Sequence, residues 1–198
     1  MRNAIDFHCH GVGEMDFSKP REVDLYAVDH LLKTEGVSVV LVFSLPEEEM
    51  LSFERLAQDY DDARSKNDLT NILGLALEGP LLSLVGGTPE KGCWNPKKSQ
   101  WNKVFKLGKL GLKYCVISPD CEVASSPAHP PNIQWIIRGL LENGIMPALG
   151  HFRKDNPTES ASLIASICNN LVTDKFGPIL TDHMFNDMPL NFKHAWRT

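Results

Sequence analysis

Four histidines and one glutamate occupy comparable places in this chain, each at or just past the end of a short apolar run. His8 and His10 close Ile5-Asp6-Phe7-His8-Cys9-His10, and Glu78 ends Leu75-Ala76-Leu77-Glu78 before Gly79-Pro80 turns the chain away. His151 ends the run from Ile145 to Gly150, and His183 ends Ile179-Leu180-Thr181-Asp182-His183. An ionised carboxylate at the end of an apolar strand needs solvent or a cation to offset its desolvation. Imidazoles and a carboxylate converging from separate strands make a site for a divalent metal, and such a site implies a hydrolase working through metal-activated water. His8 and His10, two apart on a strand, project to one face and suit two ligands from one element. Glu78 has two oxygens and is able to bridge two ions, so one or two ions are expected. Zinc fits this donor set best, with iron or manganese as alternatives.

Each residue alone has a plainer explanation. A single His-x-His is more often incidental than metallic, Glu78 could be a strand-end salt-bridge partner, and His151 after Gly150 a helix cap or exposed turn residue. Their joint placement carries the metal reading. His30, on a predicted helix, and His129, among prolines, read as surface residues, while His194 stays unassigned.

For the five side chains to meet, parallel strands must present them at one end. The sequence predicts a strand from Arg2 to His10 and a loop opening at Gly11-Val12-Gly13. A helix follows from Pro20 to Glu35, with Gly36 to stop it. Val37 to Phe43 is a β-branched, nearly continuous apolar run, as in strands buried on both faces. A second helix lies within Ser44 to Lys66, with Met50, Phe53, Leu56 and Ala57 as its apolar stripe, and a third strand runs from Asn71 to Glu78. After a long Gly- and Pro-rich loop from Leu81 to Gln100 come a short helix (Trp101 to Leu110) and a strand (Leu112 to Ile117). A helix from Ile133 to Glu142, a strand from Ile145 to Gly150, a helix from Thr158 to Leu171 and a strand from Pro178 to His183 complete the order. Alternating strands and helices at roughly 30 to 40 residues per unit indicate an α/β fold with a parallel sheet, whose functional groups gather at the C-terminal strand ends. A (β/α)8 barrel of the TIM type needs eight units and typically about 250 residues. Six are visible here, so the expectation is an incomplete barrel.

The 198 residues, Met1 to Thr198, are expected to form a single domain, with 42% hydrophobic and 23% charged residues, as in soluble globular proteins. A net charge of −5 argues against a general nucleic-acid or membrane-surface binder. No apolar run approaches the roughly 20 residues of a membrane span, and Met1-Arg2-Asn3-Ala4 leads into the first strand without a signal peptide. The five cysteines are scattered and contain no Cys-x-x-Cys pair, consistent with a reduced, cytoplasmic protein.

Several segments also carry a family resemblance. Asp6-Phe7-His8-Cys9-His10-Gly11 resembles the opening motif of the metal-dependent amidohydrolase superfamily. Gly74 to Leu82 (GLALEGPLL) is similar to the GLHLEGPF segment of N-acetylglucosamine-6-phosphate deacetylases, and Glu90-Lys91-Gly92 falls where that family has an EKKGAH loop. Val116-Ile117-Ser118-Pro119-Asp120 resembles its TLAPE, and Gly144 to His151 its GIVVSLGH. Thr181-Asp182-His183-Met184-Phe185-Asn186-Asp187-Met188 resembles its THLFNAM, with one residue inserted before the histidine. The resemblance runs in order from about residue 4 to 190. It implies that His8 and His10 bind one metal, that Glu78 bridges or binds the principal metal, and that His151 and His183 bind the principal metal. Asn186 would approach the substrate near its phosphate. The implied reaction is hydrolysis of an acetamido group of an amino sugar (phosphate), a small-molecule substrate, in a protein without nucleic-acid or membrane partners that could be a homo-oligomer.

The chain departs from the family pattern in specific places. The loop histidine falls on Trp94, a candidate substrate contact whose indole offers only an N–H donor. The alanine of the FNAM segment is Asp187. The family's catalytic aspartate belongs to a later strand, expected beyond Thr198. The domain is therefore expected to be truncated at its C-terminus, without the flanking β-sandwich and with its general base unassigned. Asp182 is placed by strand alternation on the face opposite His183 and is left out of the ligand set. Arg197 is a candidate for the phosphate-binding arginine. Two other readings stay open: a truncated or degenerate homologue that binds metal or ligand without turnover, and another metal-dependent hydrolase of this fold, such as a phosphoesterase or nuclease.

Overall fold

The computed structural model describes residues 4–84, 89–121, 130–152, 157–171 and 179–182. β1 (Ala4–Cys9) leads into a small antiparallel hairpin of β2 (Gly11–Val12) and β3 (Met15–Asp16), where the sequence suggested a loop. α1 (Leu25–Glu35) starts five residues later than expected from Pro20. The carboxylate of Asp24 accepts from the N–H groups of Tyr26 and Ala27 and so makes the stronger N-cap, while Pro20–Glu22 forms only a 3-10 turn. Gly36, at φ 68°, ends α1 in the left-handed conformation that glycine adopts without strain.

The remaining units are β4 (Val37–Phe43), α2 (Met50–Ser65), β5 (Ile72–Glu78), α3 (Lys98–Lys106), β6 (Leu112–Ile117), α4 (Ile133–Glu142), β7 (Met146–Leu149), α5 (Pro157–Leu171) and β8 (Leu180–Thr181). The second helix begins at Met50 because Glu47–Glu49 is a 3-10 turn, and the third runs from Lys98 to Lys106 before Leu107–Leu110 tightens into 3-10 form. Six strands pair in parallel in the order β1-β4-β5-β6-β7-β8. The α/β alternation and the six strands read from the sequence are those of the structure. The domain expected to run to Thr198 is described as far as Asp182, and Thr198 itself lies outside the described residues.

The sheet curls. Side chains from all six strands (Phe7, Val40, Leu73, Tyr114, Ala148 and Leu180 among them) line one cavity of about 480 Å3. At the C-terminal rim, His8 on β1 and Asp182 just past β8 approach to 3.9 Å between Nδ1 and Oδ1, although their strands are the two outermost of the sheet. The architecture is therefore an incomplete, half-closed barrel.

Period-two alternation separates two faces. Val39, Leu41 and Phe43, Leu75 and Leu77, and Cys115 and Ile117 point outward, into a core with Val28, Phe53, Trp101, Ile136, Ile137 and Ile167 from the helices. Val40, Val42, Ala76, Tyr114, Val116 and Ala148 point inward. The outer layer also carries a polar anchor. Buried Asp29 of α1 accepts from the N–H groups of Thr70, Asn71 and Ile72 at 2.9, 2.6 and 3.2 Å, which pins the entry to β5.

Candidate metal centre

Glu78 ends β5 on the inner face, following Ala76 by two residues, and is buried. The turn behind it depends on Gly79. At φ 102° a side chain is disfavoured, and a Cβ there would come within 3.0 Å of the Gly92 carbonyl. This close approach stacks the Glu90–Gly92 turn on the strand end. Two further hydrogen bonds fix the exit from the strand, Gly79 N–H to the Val116 carbonyl at 3.0 Å and Trp94 N–H to the Pro80 carbonyl at 2.9 Å.

His151 is fully buried and stands at φ 50°, a left-handed conformation uncommon for a non-glycine residue. Its carbonyl accepts from the hydroxyl of Ser118, just past β6, at 2.6 Å and from that of Ser83, in the loop after β5, so two side chains hold the backbone in that state. Backbone held in sparse regions is concentrated at functional sites.

The side chains converge on the two oxygens of Glu78. Oε2 lies 3.0 Å from His10 Nε2, and Oε1 lies 2.8 Å from His151 Nε2 and 3.9 Å from His8 Nε2. The Nε2 atoms of His8 and His10 are 3.0 Å apart. Two triads result, His8/His10/Glu78 and Glu78/His151/Asp182, each with its candidate ligand atoms within 4.8 Å of one another. Glu78 belongs to both.

The donor chemistry fits a divalent cation. His10 Nδ1 is 3.2 Å from the Val42 carbonyl, which only accepts, so the ring proton sits on Nδ1 and Nε2 carries a lone pair. That lone pair faces a carboxylate oxygen and a second imidazole nitrogen, an arrangement that calls for a positive charge among them. Two nitrogens on one tetrahedral zinc, with bonds of about 2.0–2.1 Å, stand roughly 3.3 Å apart, close to the spacing seen here. A proton is the alternative occupant: the hydrogen bond to Glu78 raises the His10 pKa above 6.5.

Other groups near the cluster are chemically quiet. Burial pushes the Cys93 thiol up to about 11 and that of Cys115 up to about 12, so neither is a thiolate near neutrality. Burial likewise raises the Tyr114 phenol, which stays protonated. The indole Nε1–H of Trp94 donates to the Leu45 carbonyl at 2.9 Å, leaving only the ring face to meet a ligand.

The structure brings together His8, His10, Glu78 and His151. His183, Asn186, Asp187 and Arg197 lie outside the described residues, as do His129 and His194. The general base stays unassigned among the described residues. His30 is exposed on α1. Asp182 corrects the sequence reading, which set it aside. Leu180 packs against the inner-face cluster, and two residues on the same alternation carries Asp182 inward as well. Asp182 thus stands with Glu78 and His151, while His183 lies outside the described residues. Tyr114 was missed altogether, although a tyrosine on the same parity as Val116 in a buried strand signals a hydroxyl in need of a partner.

One curated relative, the N-acetylglucosamine-6-phosphate deacetylase of Lysinibacillus sphaericus, is 24% identical over 149 residues, 74% of this chain and 36% of that protein. The chain resembles N-acetylglucosamine-6-phosphate deacetylases. The solved N-acetyl-D-glucosamine-6-phosphate deacetylase of Mycobacterium smegmatis superposes with a TM-score of 0.67 at 20% identity, over 94% of this chain and 47% of that one. A mutant of the same deacetylase, in complex with N-acetyl-D-glucosamine-6-phosphate, gives 0.65 at 20% identity over 94% and 43%. These deacetylase structures share the fold, and the chain spans less than half the length of any of the three. No family model matches the sequence.

Proposed function

We propose that this chain is a metal-dependent amidohydrolase of the N-acetylglucosamine-6-phosphate deacetylase kind, hydrolysing the acetamido group of an amino sugar or its phosphate. The observation that carries this reading is the buried Glu78 carboxylate, with Oε2 turned to His10 and Oε1 to His151. His8, His10 and Glu78 would hold one divalent ion. Glu78, His151 and Asp182 would contribute to a second position, which the sequence motif extends to His183. Zinc is the favoured metal, with iron or manganese as alternatives. A cation so held would supply Lewis acidity, bringing water toward ionisation at neutral pH and polarising a carbonyl.

The protein's own contribution is to orient the ligand groups. The Val42 carbonyl fixes the His10 ring, and the hydroxyls of Ser118 and Ser83 fix the His151 backbone. Below the cluster the inner face is apolar and lines the cavity. Asn186 and Arg197 are proposed to meet the substrate phosphate, with the Trp94 ring beside the sugar. No helix among the described residues is long and apolar enough to cross a membrane. We place the protein in the cytoplasm, acting on a small molecule rather than on nucleic acid, with self-association left to the mass measurement.

Metal analysis of the purified chain, with its mass in solution and acetate release from N-acetylglucosamine 6-phosphate, tests the proposal. Bound zinc or another divalent ion near one or two equivalents, together with acetate release, is the expected result. A folded chain that takes up no divalent ion even after reconstitution would sink it. A second reading, metal binding without turnover, is favoured by Trp94, whose polar atom is spent on the Leu45 carbonyl where the family carries an imidazole. Stoichiometric metal with no acetate release from a panel of acetamido sugars would select that reading.

A further inference from the structure

Tyr114 is buried on the inner face of β6, directly beneath the His8 ring. The rings lie 6.3 Å apart and 27° from parallel. The Tyr114 hydroxyl makes two contacts, 2.5 Å to the Phe7 carbonyl and 3.2 Å to His8 Nδ1. A neutral phenol has one proton, and a carbonyl oxygen only accepts. The Tyr114 proton is therefore given to Phe7, and the second contact requires a donor on the His8 side. Asp182 Oδ1 is 3.9 Å from the same nitrogen, beyond hydrogen-bond range, which leaves the Tyr114 oxygen as the nearer acceptor.

We infer that Tyr114 sets the tautomer of His8, keeping the ring proton on Nδ1 so that Nε2 faces His10 and Glu78 as a lone-pair donor. Tyr114 is thus a positioning residue, doing for His8 what the Val42 carbonyl does for His10. Both rings of the His-x-His pair are fixed from behind, one by a side chain and one by main chain. A single hydroxyl also ties β1 to β6, since Phe7 and His8 lie on β1 and Tyr114 on β6, across a sheet where these strands are not neighbours. The effect on metal affinity rests on the function proposed above, whereas the tautomer is a property of the protein with or without metal.

The test is long-range proton–nitrogen correlation NMR on the 15N-histidine-labelled 198-residue chain, metal-free at about pH 8, where an ordinary imidazole is neutral. The expected result is an Nδ1–H signature for His8 in the wild type and loss of that preference in Tyr114→Phe. Zinc affinity, measured against a competing chelator, should fall about 10- to 100-fold in Tyr114→Phe. The fall should vanish when the same change is made in a His8→Ala background, an outcome that general loosening of the strand would not give. An Nε2–H signature for His8 in the wild type overturns the inference without any variant, so the test survives a Tyr114→Phe chain that fails to fold. Equal zinc affinity in Tyr114→Phe and wild type, with Nδ1–H retained in both, overturns it too. An Nδ1–H wild type that takes up no zinc supports the tautomer and defeats the metal function instead.

Discussion

The two faces of the curled sheet differ in what they are made of. The outer face sets large side chains (Leu41, Phe43, Leu75, Leu77, Ile117) against helices that cover it, with Phe43 packed on Phe17 and Phe53 at 5.5 and 4.8 Å between ring centroids. The inner face has mostly small residues, Val40, Val42, Ala76, Val116 and Ala148, and ends at the rim in imidazoles and carboxylates. Burial of large apolar side chains is the main source of stability, so most of the folding free energy lies outside the curl. Ligand groups drawn together at like-charged or lone-pair contacts cost stability until a cation joins them. One side of the sheet packs the core, and the other carries the candidate ligands at its rim.

The sharpest way to break that division is to damage each face in turn. Phe43→Ala should cost about 3–5 kcal/mol in urea unfolding of the metal-free chain. Zinc uptake by the fraction still folded should be unchanged, and a loss of zinc sites in that fraction would show that the faces are not separable. Glu78→Gln is the counterpart, keeping shape while removing the charge both triads share. Zinc binding should weaken by more than the roughly 100-fold upper range for groups that merely support a ligand, with little change in metal-free stability at a pH above the raised His10 midpoint. Chelator competition and urea titration on the same sample would read both.

Asp29→Asn sharpens the comparison with a polar group on the outer side. It keeps an acceptor for the three N–H groups at the entry to β5 but makes it neutral, and should cost about 1–2 kcal/mol. Zinc affinity should hold, because Glu78 sits at the other end of that strand. A fall in affinity would mean that strand entry, and not only the rim, places the carboxylate.

The smallest effect concerns pH. The His10 pKa is raised in the folded, metal-free chain, so the His10–Glu78 contact adds stability fully below about 6.5 and loses it as pH rises through the raised value. Zinc has to displace that proton, so its affinity should climb by up to about tenfold per pH unit below the raised value and level off above it. In Glu78→Gln the midpoint should move back toward the ordinary histidine range. Calorimetric titration across pH would show both, and a flat profile would remove His10 from the metal's ligands.

Much of this was legible from residue order. Strand and helix alternation followed from apolar periodicity, and β6 and α4 have the limits that pattern suggested. His8 and His10 share a face because they are two apart on a strand, and Glu78 and His151 stand at strand ends because Gly79 and Gly150 interrupt the runs there. The start of α1 was misplaced, since Pro20 opens a 3-10 turn as readily as a helix, and the Asp24 cap decides the matter only once both ends compete. Asp182 escaped because strand alternation gives relative, not absolute, orientation. Which residue of a strand faces inward is set by its neighbours.

By itself, then, the sequence determined the residue types at the rim, their spacing along each strand and the order of the elements, all of which depend on local periodicity and on where glycine and proline stop a run. Only the tertiary structure decided that His8 and Asp182, from opposite margins of the sheet, come within 3.9 Å. It also decided that one buried carboxylate divides its oxygens between two groups of histidines, and that Tyr114 stands under His8. Those facts depend on how far six strands curl. That curl is a sum of small twists and side-chain sizes over the whole sheet, which no single segment encodes.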